Sequence, residues 1–394
     1  MQILHIIENI DNSYGGPAKS VPFLIKYLNK IDVNNKIISI KLKNPETNDI
    51  CQNSGIKILS AKHEGPPVFR YSSKFCQKIE SELNNKTIIH THSLWNYPPY
   101  CAYKLSLKHK VPLIVSIRGN LYDWNLKKSR WKKRVALKLF QMDMFKKAAC
   151  LHATEENELK AIRKLGIKTP VALIPNGIEM SEFENLQDKL RARDYLKIDL
   201  KKKYILFMSR IYSKKGLEFL VQAFLKLYEK YPEWELLIAG PIYDQKYFDG
   251  INRMIKQKNA TGKIHFFGMA SGQKRLNLFA AANLFVLPAH TENFGMVIGE
   301  AMAAKLPVIT TTGTPWKVLE ERQCGWWTAL SHRNIYTALE EAMGKSEYEL
   351  LSMGEKSYEI VKNNFSWEEV AFKMKEVYLW ALGSATKPEW VFVD

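Results

Sequence analysis

The chain has 394 residues, 46% of them hydrophobic, which is enough for roughly two to three globular domains with large cores. Lys and Arg outnumber Asp and Glu by 58 to 40, so the net charge of +18 indicates an anionic partner: a phosphorylated substrate, anionic lipid or nucleic acid. The sequence lacks the roughly 20 consecutive apolar residues of a membrane span, and its five scattered cysteines favour a reduced, cytoplasmic protein.

The first half of the chain predicts a parallel α/β domain. Residues 1–7 lack the basic region that opens a signal peptide, and residues 3–7 have the apolar character of a buried strand. A Gly-rich loop at 9–17 and a helical pattern at 18–28 follow. Further strands are predicted at 87–91, 113–117, 150–153 and 171–174. Strands that alternate with helices in this way form a doubly wound parallel sheet.

Polar residues follow the strands of this half. The pair His90 and His92 could bind zinc, but no third ligand occurs at a recognisable spacing, so we expect no metal. His92 is a candidate for hydrogen bonding or proton transfer, with a buried structural histidine as the alternative. Arg118 ends the strand at 113–117, where it can meet a phosphate or the charge of a leaving group. Gly15 and Gly16 allow a ligand to approach the backbone closely, although a simple tight turn would also use them.

A basic amphipathic segment occupies residues 127–147. Its Lys and Arg residues alternate with apolar ones at helical spacing, which is typical of helices that lie on an anionic membrane surface. Val135, Leu137 and Leu139 would equally suit an ordinary packed helix with a solvated basic face. Because no DNA- or RNA-binding motif accompanies the charge, a membrane is a better candidate partner than nucleic acid.

The second half repeats the α/β pattern. Strands are predicted at 204–208, 236–239, 264–267, 284–287 and 308–310, and residues 334–382 are nearly all helical. We predict two doubly wound Rossmann-like domains, at 1–190 and 191–366, which face each other across a cleft. The charged, strandless stretch 181–203 is the expected linker. A last helix within 367–394 is expected to cross back to the first domain.

Two cations follow the first strand of the second half. Arg210 and Lys215 lie in a loop that ends in Gly216 and precedes a helix, and such a pair can neutralise a pyrophosphate. The loop matches neither a Walker A sequence nor the dinucleotide-binding Gly pattern, so neither an ATPase nor a nicotinamide enzyme is indicated. A solvated basic loop is the alternative.

Two carboxylates bracket a later strand-to-helix turn. Glu292 precedes the turn that contains Asn293, Phe294 and Gly295, and Glu300 lies in the helix that follows. Backbone N–H groups at a helix start attract phosphate, so the two carboxylates can flank a sugar nucleotide, one toward each sugar ring. A capping residue and an exposed helical Glu would give the same pattern.

Together these motifs resemble the retaining glycosyltransferases of family 4, which have the two-domain GT-B fold. The segment 292–300 is similar to the family's two Glu residues with seven positions between them, and 209–216 is similar to its phosphate-binding loop. Segments 239–241, 174–177 and 15–16 match less specifically.

The resemblance implies a role for each matched residue. Arg210 and Lys215 would bind the diphosphate, Glu300 the ribose, and Glu292 with the backbone after it the donor sugar. The implied catalytic residues are Glu292, Arg210, Lys215, His92 and Arg118; the implied donor-binding residues are Gly16, Arg210, Lys215, Gly240, Met269, Glu292, Asn293, Phe294, Gly295 and Glu300. No metal or cofactor is implied, because the chain has no Asp-x-Asp triplet.

Some positions depart from the broad family pattern. Arg118 stands where many members have His, Asn293 where many have Gly, and residues 312–316 where a Gly-Gly-x-Pro-Glu run is common. These features resemble a bacterial subgroup for lipopolysaccharide, O-antigen or capsule synthesis. The subgroup implies a nucleoside diphosphate sugar of UDP or GDP type, a glycan or polyprenol-diphosphate-linked acceptor bound by the first domain, and a position at the inner face of the cell membrane.

Two other functions fit the same pattern. A sugar-nucleotide epimerase shares the fold but needs carboxylates for proton transfer at the sugar ring, and the first half offers no obvious acid cluster. A catalytically silent sugar-nucleotide-binding protein would keep Arg210 and Lys215 without turnover. Analysis of products distinguishes the three.

Overall fold

The computed structural model describes residues 1–11, 16–41, 48–65, 69–122, 126 and 130–393. Contacts divide the chain into one unit made of Met1–Gly177 with Trp367–Asp394, and a second unit, Ile178–Ser366. The first unit ends at Gly177 and not at the expected position 190, because Met180 and Phe183 pack in the core of the second unit.

The first unit contains an eight-stranded sheet in the order β14-β7-β6-β5-β4-β1-β2-β3. Its strands are parallel except for β14, which pairs antiparallel with β7. The bounds are β1 Gln2–Ile7, β2 Asn34–Lys41, β3 Ile58–Lys62, β4 Thr87–Thr91, β5 Leu113–Ser116, β6 Cys150–Ala153, β7 Val171–Leu173 and β14 Val391–Phe392.

Helices cover both faces of this sheet. They are α1 Gly16–Lys30, α2 Asp49–Asn53, α3 Phe75–Glu80, α4 Tyr97–His109, α5 Arg130–Ala136, α6 Met142–Lys147, α7 Glu156–Lys164 and α17 Trp367–Ala381, with a π-helical turn, Leu137–Gln141, between α5 and α6. The returning helix α17 packs on α1 and buries Trp367 and Tyr378. Its apolar residues share a core with Ile3, Ile88 and Ile114, so α17 covers one face of the sheet.

The second unit contains a six-stranded parallel sheet in the order β10-β9-β8-β11-β12-β13. Its strands are β8 Lys203–Met208, β9 Trp234–Ala239, β10 Ile264–Gly268, β11 Leu284–Leu287, β12 Val308–Thr311 and β13 Gly325–Thr328. Its helices are α8 Ser181–Glu184, α9 Lys189–Leu196, α10 Leu217–Leu227, α11 Gln245–Gln257, α12 Gly272–Ala281, α13 Met296–Ala303, α14 Val318–Glu321, α15 His332–Gly344 and α16 Glu347–Asn364, with 3₁₀ turns at Ser213–Lys215 and Thr261–Lys263.

The stretch expected to be a linker is folded. Helices α8 and α9 occupy it, and Ala192 and Leu196 join the second core. Arg193 beside them is also buried, and its guanidinium donates to the carbonyls of Ala281 and Leu200. Asp188 caps α9 by accepting hydrogen bonds from the backbone of Leu190 and Arg191.

The expectation that the cysteines are reduced is wrong for one pair. A disulfide joins Cys76 of α3 to Cys101 of α4, whose Cα atoms lie 5.5 Å apart because the two helices pack together. Cys51, Cys150 and Cys324 are buried free thiols. Among the described residues, no helix is both long enough and apolar enough to cross a bilayer.

Candidate functional site

The order in which the chain adds strands to the second sheet reverses between β8 and β11. From β8 the chain adds β9 and β10 on one side, then returns to place β11 and β12 on the other. Open α/β sheets bind ligands at the carboxyl ends of the strands that flank such a switch. Arg210 and Lys215 follow β8 and Glu292 follows β11, so the structure brings the two predicted motifs to this point.

Lys215 and Glu292 form an ion pair across the switch. Their side chains are 8% and 16% exposed, so both charges are largely removed from water. Gly216 follows Lys215 with φ +67° and lies against the carbonyl of Pro288, where a Cβ would collide. This close approach explains why glycine ends the basic loop.

Backbone and indole hydrogen bonds hold the loops around the pair. The N–H of His290 donates to the carbonyl of Lys214 at 3.0 Å, and that of Glu292 to Gly313 at 2.9 Å. The indole N–H of Trp316 donates to the carbonyl of Phe294 at 2.6 Å. Phe294 is itself buried at 4% exposure against Trp316, so its side chain supports the turn from the core and does not face a ligand.

The turn at Gly295 opens helix α13. Gly295 has φ +75° and caps the helix, so the backbone N–H groups of the first turn of Met296–Ala303 point toward the carboxyl edge of the sheet. Such a terminus attracts phosphate. Asn293 is half-buried in the same turn.

Arg210 is exposed and lies between two tyrosines. Its guanidinium carbon is 5.6 Å from the ring centre of Tyr212 and 5.1 Å from that of Tyr243. Cation–π contacts of this kind fix the orientation of an exposed arginine. Arg210 therefore stands preorganised beside the more buried Lys215.

Glu300 is buried in α13, where it has an arginine partner. Its Oε2 lies 3.0 Å from Nη1 of Arg275, and Arg275 also pairs with Glu182. Two carboxylates thus surround one guanidinium, and their charges raise the pKa of Arg275 although burial opposes this. A ribose hydroxyl that reached Glu300 would join this cluster.

The two remaining donor-side candidates follow β9 and β10. Gly240 has φ +144° and lies against the carbonyl of Ser209, and its N–H donates to Gly268 at 2.7 Å. Met269 is 74% exposed directly after β10. Both therefore lie at the carboxyl edge of the sheet that carries the Lys215–Glu292 pair.

The first sheet has its own switch point, between β1 and β4. Glu8 follows β1, and Asn96 lies in the loop after β4; the amide of Asn96 donates a hydrogen bond to the Glu8 carboxylate. The Nε of Arg70 lies 3.8 Å from the same carboxylate. Burial raises the pKa of Glu8 above its ordinary value. A partly buried carboxylate at this position can accept a hydrogen bond from a ligand hydroxyl.

His92 lies in a buried chain of hydrogen bonds. Its Nδ1 accepts from Nη2 of Arg118 at 3.1 Å, so its Nε2–H donates to Nδ1 of His5 at 2.9 Å. The Nε2–H of His5 in turn donates to the amide oxygen of Asn35 at 3.0 Å. Arginine has no acceptor, which fixes the direction of the whole chain.

A second chain crosses the sheet beside the first. The hydroxyl of Tyr378 donates to Nδ1 of His90, and Nε2–H of His90 to Ser116, both at 2.7 Å. Ser116 donates to Nδ1 of His152 at 2.7 Å, and Nε2–H of His152 to the carbonyl of Ile174 at 2.9 Å. The carbonyl cannot donate, so this chain also has one direction.

The sequence offers no third ligand at a recognisable spacing from His90 and His92, but the fold brings a third imidazole, His5, beside them. His5 on β1 is the cross-strand neighbour of His90, and one ring nitrogen from each of the three histidines lies within 4.8 Å of the others. Every ring nitrogen of the three nevertheless has a hydrogen-bond partner, and the Arg118 cation lies beside them. The lone pairs that a metal would need are engaged.

Burial keeps these imidazoles neutral. It lowers the pKa of His5 to about 4 and that of His152 to about 3, and it lowers the pKa values of His90 and His92 well below their ordinary range. Burial also lowers the pKa of Arg118 to about 10, so this side chain stays charged at neutral pH.

Arg118 is held by several elements of the first unit. It has φ +51°, and its Nη1 donates to Ser20 of α1 at 3.0 Å and to Asn176 at 3.4 Å. Gly16 is exposed at the start of α1, while Gly15 lies outside the described residues. Both ring nitrogens of His92 are occupied, one by Arg118 and one by His5, so neither is free to exchange a proton with a ligand in this arrangement.

The basic segment forms a helical surface. Residues 127–129 of the predicted segment lie outside the described residues, and helices α5 and α6 with the π-helical turn occupy 130–147. Trp131, Val135 and Leu139 are 69%, 48% and 76% exposed at a spacing of four residues, so they share one face. Arg134 and Lys138 are also exposed.

Several site residues were not predicted from the sequence. Glu8 directly follows the strand that was predicted at 3–7, so the rule that singled out Arg118 would have found it. Tyr212 lies inside the basic loop, but nothing in the sequence pairs it with Tyr243. His5 and Arg275 carry no local signal, because strand register and helix packing bring them to His90 and Glu300.

Comparison with known proteins agrees with this geometry. Residues 59–177 match the Glycosyl transferase 4-like domain, and residues 188–358 match Glycosyl transferases group 1. The solved structure of HepE from Anabaena, in complex with UDP and glucose, has a TM-score of 0.74 at 16% identity and covers 95% of this chain and 98% of that one. Both matched domains are glycosyltransferase domains, and the HepE structure shares the fold.

The chain thus carries a Glycosyl transferase 4-like domain followed by a Glycosyl transferases group 1 domain, and its two α/β units have the GT-B fold. An uncharacterised glycosyltransferase of Methanocaldococcus jannaschii is 29% identical over 216 residues, 53% of each chain, so the match spans about half of that relative. A GDP-mannose:cellobiosyl-diphosphopolyprenol alpha-mannosyltransferase of Xanthomonas campestris is 22% identical over 79% of this chain and 78% of its own.

Proposed function

We propose that this protein transfers a sugar, with retention at the anomeric carbon and without a catalytic metal, from a nucleoside diphosphate sugar of UDP or GDP type to an acceptor hydroxyl. The observation that carries the proposal is the Lys215–Glu292 pair at the switch point of the second sheet, with Arg210 beside it. Cations and a helix start meet there, as a diphosphate requires.

The chemistry follows from these charges. The bond between the anomeric carbon and the phosphate oxygen breaks while the acceptor hydroxyl attacks from the same face, and the hydroxyl proton passes to the departing phosphate oxygen. Arg210, Lys215 and the start of α13 stabilise the charge that develops on the diphosphate. Glu292 exchanges its contact with Lys215 for one with the donor sugar. No enzymatic nucleophile takes part.

The first unit receives the acceptor in this proposal. Arg118, oriented by His92, supplies a fixed positive charge at the carboxyl edge of that sheet. The relative from Xanthomonas is named for a polyprenol-diphosphate-linked acceptor, which supports a lipid-linked glycan here and a role in lipopolysaccharide, O-antigen or capsule synthesis.

A membrane-facing helix fits such an acceptor. Trp131 and Leu139 are exposed on one face of the basic helix, next to Arg134 and Lys138, which is the arrangement of helices that lie on anionic bilayers. We place the protein at the inner face of the cell membrane, attached peripherally through residues 127–147.

Thermal unfolding with UDP, GDP, ADP, TDP and CMP and their sugars tests the donor site. A ligand at about a hundred times its dissociation constant adds about 2.7 kcal/mol to the free energy of unfolding. We expect one nucleoside diphosphate to stabilise the wild type, with or without EDTA, but not the Arg210→Ala/Lys215→Ala variant. Stabilisation only by polyanions or nucleic acid would refute the proposal, and analysis of products separates transfer from epimerisation and silent binding.

A further inference from the structure

A strip of aromatic rings runs along the first unit and has no role in the chemistry described above. Tyr97 is its centre: the ring of Tyr71 lies 4.8 Å away, that of Phe69 5.8 Å and that of Tyr100 6.4 Å, measured between ring centres. Phe140 of the π-helical turn continues the strip, 5.4 Å from Tyr100. We call these five residues the aromatic strip.

The strip is open to solvent. Phe69 is 46% and Tyr71 38% exposed, while Tyr97, Tyr100 and Phe140 are half-buried. Single exposed aromatic residues are common on protein surfaces. These five differ because their rings lie next to one another in a row.

The protein holds the strip in place before any ligand arrives. The N–H of Tyr97 donates to the carbonyl of Phe69 at 3.0 Å, and the N–H of Glu64 to the carbonyl of Tyr71 at 2.9 Å. Tyr97 begins α4, where Pro98 restricts the backbone of the first turn. The Cys76–Cys101 disulfide joins α4 to α3, and Sγ of Cys76 lies 3.6 Å from the Tyr97 hydroxyl.

Polar groups lie at the Phe69–Tyr71 end of the strip. Arg70 lies between Phe69 and Tyr71 in sequence, and its Nε is 3.8 Å from the carboxylate of Glu8. Glu8 and Asn96 bridge the switch point of the first sheet. Aromatic faces beside a carboxylate and an amide suit a pyranose ring, whose C–H face packs on the ring electrons while its hydroxyls find polar partners.

The other end of the strip leads to the membrane-facing helix. Phe140 belongs to the same helical segment as Leu139 and Val135, which are 76% and 48% exposed. A ligand with a sugar at Glu8 and an apolar tail at Leu139 would satisfy both ends.

From this arrangement we infer that the aromatic strip is the binding surface for the saccharide of a lipid-linked acceptor. The sugar rings stack on Phe69, Tyr71 and Tyr97, and the lipid end lies toward the basic helix. The inference rests on the proposed transferase function and adds to it the residues that recognise the acceptor.

Binding of octyl glycosides of glucose, mannose and galactose, kept below micelle formation, tests the inference by saturation-transfer NMR and calorimetry. We expect at least one glycoside to bind the wild type, and Phe69→Ala and Tyr71→Ala each to weaken it about fivefold. Tyr97→Phe keeps the ring and should retain binding, whereas Tyr97→Leu should lose it. Phe372→Ala and Tyr348→Ala are matched controls, since these rings are 52% and 81% exposed outside the strip.

The inference would be overturned if no glycoside bound the wild type, or if the strip variants bound glycosides as tightly as the wild type does. It would also be overturned if the variants lost only vesicle binding, because the strip would then be a membrane anchor. UDP binding is measured on the same samples. Glycoside binding without binding of any nucleoside diphosphate would support the strip and refute the transferase, and the reverse would overturn the strip alone.

Discussion

Lys215 and Glu292 neutralise each other across the switch point of the second sheet, in side chains that are 8% and 16% exposed. Removing one member of such a pair leaves the other charge largely desolvated. An incoming diphosphate must therefore compete with Glu292 for Lys215. In the absence of a ligand, the Glu292 carboxylate neutralises the Lys215 charge, and a bound diphosphate would take the place of that carboxylate.

Neutralising the carboxylate should separate stability from binding. We expect Glu292→Gln to lower the free energy of unfolding by about 3 kcal/mol, yet to bind UDP or GDP at least as tightly as the wild type, because Lys215 has lost its competitor. Sugar transfer should be lost. Glu355→Gln is the control: its partner Lys305 is exposed, and an exposed pair contributes about 0.5 kcal/mol. Weaker diphosphate binding by Glu292→Gln would contradict this account, and denaturant unfolding with calorimetry measures both quantities.

Arg210 should matter for binding and not for stability. It is exposed, so Arg210→Ala should leave unfolding unchanged while it weakens binding of the diphosphate by about 1.5 to 3 kcal/mol. Arg210→Lys keeps the charge but loses the planar group that lies against Tyr212 and Tyr243, so we expect an intermediate affinity. Arg253→Ala, at an exposed arginine of α11, should bind normally. Equal affinity for the wild type and Arg210→Ala would remove Arg210 from the site.

The buried histidines His5, His90, His92 and His152 should make the first unit sensitive to acid. The folded pKa of His152, about 3, lies below its unfolded value near 6.5, so the unfolded chain binds more protons and stability falls as the pH drops from about 6.5 to about 3. Each imidazole that remains neutral contributes a slope of about 1.4 kcal/mol per pH unit.

The test of this pH dependence compares the wild type with His152→Gln. Glu158 has a pKa raised by burial and titrates in the opposite sense, so the difference between the two proteins isolates the imidazole. We expect the variant to be less stable at neutral pH but to lose less stability on acidification. Parallel stability curves in urea unfolding at several pH values would show that His152 protonates in the folded protein as it does in the unfolded one.

The positions of β1, β4, β8 and β11 could be predicted from runs of apolar residues, because strands that are buried on both faces are apolar along nearly their whole length. The turns that contain Arg210 and Glu292 could therefore be located from sequence. Strands β2 and β3 were not predicted, because polar residues interrupt their apolar runs. Strands β13, with only two adjacent apolar residues, and β14, with two residues in all, are too short to show a run. The contacts of Glu300 with Arg275 and of His92 with His5 depend on packing between distant segments, which no local pattern reports.

Loss of one hydroxyl should destabilise the face of the first sheet that α17 covers. Tyr378→Phe removes the donor to His90 and leaves a buried ring nitrogen without a partner, which costs about 1 to 3 kcal/mol. Tyr103→Phe is the control, because this tyrosine is also buried and its hydroxyl makes no hydrogen bond to the described residues. Urea unfolding followed by near-UV circular dichroism measures the difference. Equal losses in the two variants would show that the histidine chain adds nothing to stability.

Vesicle binding should require both charge and exposed apolar groups. We expect neutralisation of Lys132, Lys133 and Arg134 to abolish binding to anionic vesicles. Trp131→Ala/Leu139→Ala should weaken binding at constant charge, because Trp131 and Leu139 are exposed apolar side chains. Neutral vesicles and high salt should mimic the charge variant. Sedimentation with vesicles measures both effects, and unchanged binding by the neutralised variant would refute the membrane assignment.

The first unit is assembled from two separated stretches of chain. Helix α17 and strand β14 come from residues 367–393, yet they cover one face and one edge of a sheet that is otherwise complete by Gly177. During synthesis, residues 178–366 leave the ribosome before α17 does. Until then, α17 cannot cover the face of the sheet that carries His90. The second unit is continuous in the chain, so it can complete its fold before the first unit does.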